Sequence, residues 1–229
     1  MKFCEALDLP RGVTAVIGSG GKTSLLMRLA EEVPGTAILC TTTHIVPFSG
    51  YPVLENPSPE ALRRVLADSR VVCTGTPGQE GKLTAPRLPM ETLAALADYV
   101  LVEADGSHQR PLKAHAPHEP VIPSGSRRVI CVVGASGFGR PIREAVHRPE
   151  RFCALTGASA VDPAAPELAA RALIREALCN TVLLNQLERE ASHTAAAEFA
   201  TAMAGRGFRI WGGSLRENRV FPLSPLSEP

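Results

Sequence analysis

The stretch Ala15-Val16-Ile17-Gly18-Ser19-Gly20-Gly21-Lys22-Thr23-Ser24-Leu25-Leu26 runs from three apolar residues, through four that are glycine or serine, into a lysine and two hydroxyls. Its spacing is that of a phosphate-binding loop, G-x-x-x-x-G-K-[ST], with Val16 in place of the first glycine. Such a loop needs small residues so that successive backbone N–H groups converge on an anion, and a helix N-terminus behind them. It also needs a lysine for the outer phosphates and a hydroxyl for Mg²⁺. Gly18, Ser19, Gly20 and Gly21 supply the nest, Lys22 the charge, and Thr23 and Ser24 the hydroxyls. Val16 leaves the mechanism intact, because it falls on the strand before the nest. A tight strand-to-helix turn carrying a surface lysine is the bland alternative. On either reading Lys22 is placed at the surface of a turn, where its loss would spare the fold.

Working outward, short apolar runs alternate with helical stretches. Strands are expected at 14–18, 36–41, 71–75, 99–103, 128–135, 181–185 and 208–212, and helices at 22–33, 59–68, 90–98, 165–179 and 189–205. The turn residues of 73–86 predict a β-hairpin. Strands apolar on both faces and alternating with helices predict an α/β fold, a doubly wound and mostly parallel sheet with flanking helices. At 229 residues this is a single nucleotide-binding domain over 1–221, with 222–229 (PLSPLSEP after Phe221) a flexible tail.

Composition bounds the function. With 24 Lys+Arg against 23 Asp+Glu the net charge is +1, and aromatics are 4%, so neither nucleic acid nor an acidic membrane face is an expected partner. The opening MKFCEALDLPRG lacks a secretory pattern and no apolar run reaches membrane-spanning length, which predicts a soluble cytoplasmic protein. Six cysteines with no C-x-x-C pair read as reduced core thiols. Twenty prolines, about twice the average share of roughly 5%, gather in 47–59, 77–89 and 111–123 and predict long ordered loops.

Ligands of doubly wound sheets bind at the carboxyl ends of the strands. Tyr99-Val-Leu-Val-Glu103-Ala-Asp105-Gly106 ends such a strand with two acids, the pattern of a Walker-B segment, although Asp105-Gly106 also reads as a plain turn. Glu103 is the expected Mg²⁺-side acid. Thr41-Thr42-Thr43-His44 ends another strand, and Thr42 is a candidate for the metal or the terminal phosphate. In Ser107–Pro123, His108, His115, His118 and Glu119 are irregularly spaced among prolines, which argues against a zinc site. Arg110 and Lys113 are cations suited to a phosphate or an anionic substrate. Asp105 or His118 is a candidate to position water or an acceptor. Asn185-Gln186-Leu187-Glu188 keeps the hydrogen-bonding chemistry of the base-reading N-K-x-D motif, so Asn185 and Gln186 either read a purine or belong to the next helix N-terminus.

The phosphate loop is similar to that of the Mur-type peptide ligases. More specifically, GSGGKTS (18–24), CTTTH (40–44), EGKLTAP (80–86), VEADGSHQRPLKAHAPHEPVIP (102–123), VVGASGFGRPI (132–142), VHRPE (146–150) and LLNQ (183–186) occur in an order that resembles the YqeC-type family. That family is described as accessory proteins of selenium-dependent molybdenum hydroxylases or as selenium-cofactor biosynthesis proteins. Lys113, His118, Glu119 and Arg140 match its pattern, whereas His108 and His115 are peculiar to this chain. The resemblance implies a cytoplasmic P-loop protein that binds ATP or GTP with Mg²⁺ and helps mature a molybdenum hydroxylase, its partner. Two functions are expected from this. One is nucleotide hydrolysis or phosphoryl transfer, kinase-like or ligase-like if Arg110 and Lys113 hold an anionic substrate. The other is a nucleotide-gated delivery chaperone.

Overall fold

The computed structural model describes residues 1–223. Residues 224–229, most of the expected tail, lie outside the described residues. The chain opens with α1 (Phe3–Ala6), β1 (Gly12–Gly18), α2 (Lys22–Glu32) and β2 (Ala37–Thr41), followed by β3 (Val53–Glu55), α3 (Pro59–Asp68), β4 (Val71–Pro77) and β5 (Leu83–Thr84). It continues through α4 (Met90–Leu96), β6 (Tyr99–Glu103), β7 (Leu112–Lys113), β8 (Arg128–Gly134), α5 (Ile142–Ala145), β9 (Val146–His147) and α6 (Pro149–Thr156). Last come α7 (Pro166–Glu176), β10 (Thr181–Asn185), α8 (Ala191–Met203), β11 (Arg209–Ser214) and β12 (Arg219–Pro222).

The sheet runs β12-β11-β10-β8-β1-β6-β2-β4-β3, with β5 paired to β4. All neighbours are parallel except β11–β12 and β4–β5. This is the doubly wound α/β architecture expected from the sequence, and β4–β5 is the expected hairpin. Pro222 pairs with Trp211, so the last strand extends one residue into the stretch read as tail.

The strands alternate side chains between two buried faces. Val16, Leu39, Leu101 and Leu183 pack under α1 and α2. On the opposite face, Ile38, Val72 and Val100 meet α3 and α4, while Ile17, Cys131, Val182 and Leu184 meet the α5–α8 half. No helix among the described residues is long and apolar enough to cross a membrane.

Register brings the chemistry to one edge. Val16 and Thr41 both lie opposite Glu103, Gly18 opposite Val132, and Asn185 opposite Gly134. The proline-rich loop after β2 is pinned there by Ile45, which exchanges two backbone hydrogen bonds with Leu83 (2.9 and 2.7 Å).

Candidate functional site

Gly20 (φ +88°) and Gly21 (φ +132°) hold backbone conformations that a β-carbon resists, and they also lack room for one. A Cβ on Gly20 would enter the Gly134 backbone, and one on Gly21 would come within 2.5 Å of Asn185 Nδ2. The loop is braced all round. Ser19 N–H donates to the Val132 carbonyl (2.8 Å), Ser19 Oγ to the Arg110 carbonyl, and Gly18 N–H to Asp105 Oδ2 (2.9 Å). No side chain caps α2, so the amides of its first turn have no side-chain acceptor. Together with the helix dipole they form an anion seat.

Beneath that seat lies a buried chain of charges. Lys22 is buried, not at the surface of the turn as the sequence reading had it: its side chain is 3% exposed. Its Nζ donates to the Gly18 carbonyl (2.8 Å) and stands 3.1 Å from Asp105 Oδ1 and 3.9 Å from Glu103 Oε1. Asp105 is fully buried and is the hub. Its Oδ2 also meets Lys113 Nζ at 3.2 Å and His115 Nε2 at 2.9 Å. His115 Nδ1 lies 2.8 Å from Glu176, and Lys113 continues to Glu119 (2.8 Å), which is gripped by Arg148 (3.0 Å).

Burial alone would raise the pKa of Asp105, but the His115 hydrogen bond and the charges of Lys22 and Lys113 outweigh it and hold it at about 2. Burial likewise opposes protonation of His115, and its bonds to Asp105 and Glu176 overcome that and push its pKa up. Glu103 goes the other way: desolvation pushes it up, only partly offset by Lys22 and Thr23. Buried ion pairs often contribute nothing net to stability. Perturbed ionisable groups gathered beside a cleft make this the candidate functional site.

Thr23 Oγ1 donates to Glu103 Oε2 at 2.9 Å, which joins the loop hydroxyl to the strand-end acid. Hydroxyl, carboxylate and phosphate oxygens are the donor set Mg²⁺ takes, and Thr23 and Glu103 bring the first two together at the cleft. The residues therefore fit the ion. Among the described residues no cluster of three or more His, Cys, Asp or Glu side chains is arranged to cage a metal by itself.

The other expected residues are distributed differently. Thr42 lines the cleft, but its hydroxyl donates to the Val121 carbonyl (2.7 Å). Lys113 is consumed by the buried chain and does not present itself to a substrate. Arg110 lines the cleft with its guanidinium on the Arg143 carbonyl. Asn185 lines the cavity beside β10, and its Nδ2 donates to the Gly20 carbonyl (2.8 Å) while its Oδ1 accepts from Leu215 N–H (3.0 Å), which makes it a strut of the loop. Gln186 accepts from Ser136 Oγ (2.6 Å) and faces the clefts. Asp105 is sealed beneath the loop and cannot position water directly. His118 does line the cleft and is exposed. His108 stacks on His147 at 4.8 Å and lines the same cleft as His118, while His115 is buried.

Two cavities flank the loop and share Gly20, Gly21 and Ser24. One, of about 1010 Å³, lies toward α7, β10 and α8, with Phe138, Pro166 and Ala195 on its wall. The other, of about 1140 Å³, holds Lys22, Thr23 and Glu103 on one side. Sequence reasoning missed the pairing of His115 with Glu176. A signal existed, since Glu176 continues the buried stripe Ala169, Ala172, Leu173 of α7 at helical spacing and stands at the end where the helix dipole disfavours an acid.

Comparison with known proteins agrees with the motif order. A family model described as YqeC protein matches residues 14–150, from β1 into α6. The chain is 38% identical over 157 residues to a protein of Escherichia coli (strain K12) whose name reads "Uncharacterized protein YqeC". That match takes in 63% of this chain and 60% of the relative, so it spans less than two thirds of the relative's length. The chain belongs to the YqeC protein family.

Proposed function

We propose that this chain binds ATP or GTP with Mg²⁺ and cleaves or transfers the terminal phosphoryl group, in the maturation of a selenium-dependent molybdenum hydroxylase. The observation that carries the nucleotide reading is the meeting of Lys22, Thr23 and Glu103 at the open N-terminus of α2. The place in hydroxylase maturation rests on the family resemblance.

In this reading the amides of Gly20–Thr23 hold the phosphates, and the nucleoside lies in the cavity beside β10. Lys22 leaves Asp105 and stabilises charge on the transferring group. Thr23 and Glu103 would hold Mg²⁺, which when bound neutralises phosphate charge. Asp105 acts through Lys22 as a positioning residue. A melting screen with ATP, GTP and CTP, with and without Mg²⁺, tests this. A triphosphate should raise the melting temperature, and Mg²⁺ should add to the rise. Glu103→Gln should abolish the Mg²⁺ increment while leaving the triphosphate shift without Mg²⁺ in place. No shift with any triphosphate sinks the reading.

One observation favours a nucleotide-gated delivery role as second reading. Lys22 is already committed to Asp105 and the Gly18 carbonyl, so phosphate binding rewires the segment carrying Lys113, His115 and Glu119. Hydrogen exchange over 104–123 that differs between diphosphate and triphosphate states, with turnover at background, would select this role.

A further inference from the structure

Most charged groups facing the larger cavity are already satisfied. Glu119 is neutralised by Lys113 and Arg148, Arg110 is held on a carbonyl, and Lys82 pairs with Glu80 at 2.8 Å. Several side chains on its wall are not, and His108 only stacks on His147. Those of Arg140, His44 and His118 form no hydrogen bond or ion pair among the described residues.

The backbones beneath them are fixed. Arg140 O accepts from Ala164 N–H (2.8 Å), and Gly139 N–H donates to Ala164 O (3.2 Å). His44 precedes Ile45, which is doubly bonded to Leu83, and His118 precedes Glu119, which is tied to Lys113 and Arg148. All three side chains are exposed, so their anchored backbones leave the side-chain rotamers as the part that must be ordered on binding. A guanidinium and two imidazoles fit an oxyanion, and the guanidinium takes phosphate or carboxylate in two-point fashion. A triphosphate does not require them, since Lys22, the loop amides and Mg²⁺ already meet its charge.

We propose that the cavity beside Lys22 and Glu103 holds a second, anionic small molecule bearing a phosphate or carboxylate group, gripped by Arg140 with His44 and His118 while the nucleotide occupies the loop. This rests on the nucleotide reading for its companion ligand but not for its residues.

The test saturates the protein with Mg²⁺ and a non-hydrolysable triphosphate and titrates inorganic phosphate or malonate by calorimetry, with chloride at matched ionic strength as control. At least one anion should bind above the chloride control, and whichever does so identifies the group. Arg140→Gln should weaken it about tenfold and His44→Gln several-fold, with the triphosphate-induced melting shift unchanged. Binding of neither anion overturns the proposal. So does loss of the triphosphate shift in both variants, which would assign these residues to the nucleotide itself. If the unaltered protein has no triphosphate shift, the nucleotide reading fails. The same titration on free protein then decides this proposal alone, by whether Arg140→Gln removes anion binding.

Discussion

Lys22 pairs with the buried Asp105, and in the proposed function it exchanges that partner for a phosphate. Lys22→Ala leaves Asp105 with Lys113, His115 and the Gly18 N–H, and should lower the stability of the free protein by about 2 kcal/mol. It should also erase the triphosphate melting shift. A variant that melts like the unaltered protein and still responds to nucleotide would contradict the buried geometry. His115 and Asp105 set the pH response. A histidine whose folded-state pKa lies above its ordinary 6.5 contributes stability fully present below that pH and lost as pH rises through the folded value. Asp105, held at about 2 against an ordinary 3.8, contributes stability present above 3.8 and lost as pH falls toward 2. Denaturant melts should therefore weaken on both sides of a mildly acidic plateau. His115→Gln should flatten the alkaline side and leave a shallower slope.

At the scale of elements, legibility followed local physics. β10 lies over the expected 181–185 because an apolar run there ends at Asn185, and α3 spans the expected 59–68 because Ser58 Oγ accepts from Ala61 N–H (3.2 Å) with Pro59 in the first turn. β3, β7 and β9, of two or three residues, are too short to carry a period, and β7 and β9 exist through pairing with each other. The phosphate loop and its acid were legible for the same reason as β10, since their signals are contiguous. The bracing role of Asn185 was not legible because its partner lies far away in sequence, Gly20 across 165 residues, whereas Lys113 pairs with Asp105 and Glu119 nearby but from a loop that has no regular period. A polar residue at a strand end does not announce which way it turns. The loop makes a sharp demand of its own. Gly20→Ala should cost about 1–3 kcal/mol, through the positive φ and the Gly134 contact, and abolish nucleotide stabilisation. A normal nucleotide response in this variant would mean the loop repacks freely.

For the molecule as a whole, the sequence implied parallel strands and a single ligand edge but could not order the strands. That β6 lies directly beside β1 is what allows Thr23 and Glu103 to touch, and it follows from long-range packing of two sheet faces. The buried chain beneath the loop is internally neutral, with Lys22, Lys113, His115 and Arg148 set against Glu103, Asp105, Glu119 and Glu176. Drawing Lys22 toward a phosphate breaks that parity and brings further negative charge alongside, so the remaining groups hold hydrogen ions more tightly. Loading Mg²⁺-free triphosphate in alkaline medium should consequently absorb hydrogen ions from solution. The observed heat should scale with the ionisation enthalpy of the buffer, and the dependence should disappear in His115→Gln. The protein would then register its ligand as a change in proton inventory.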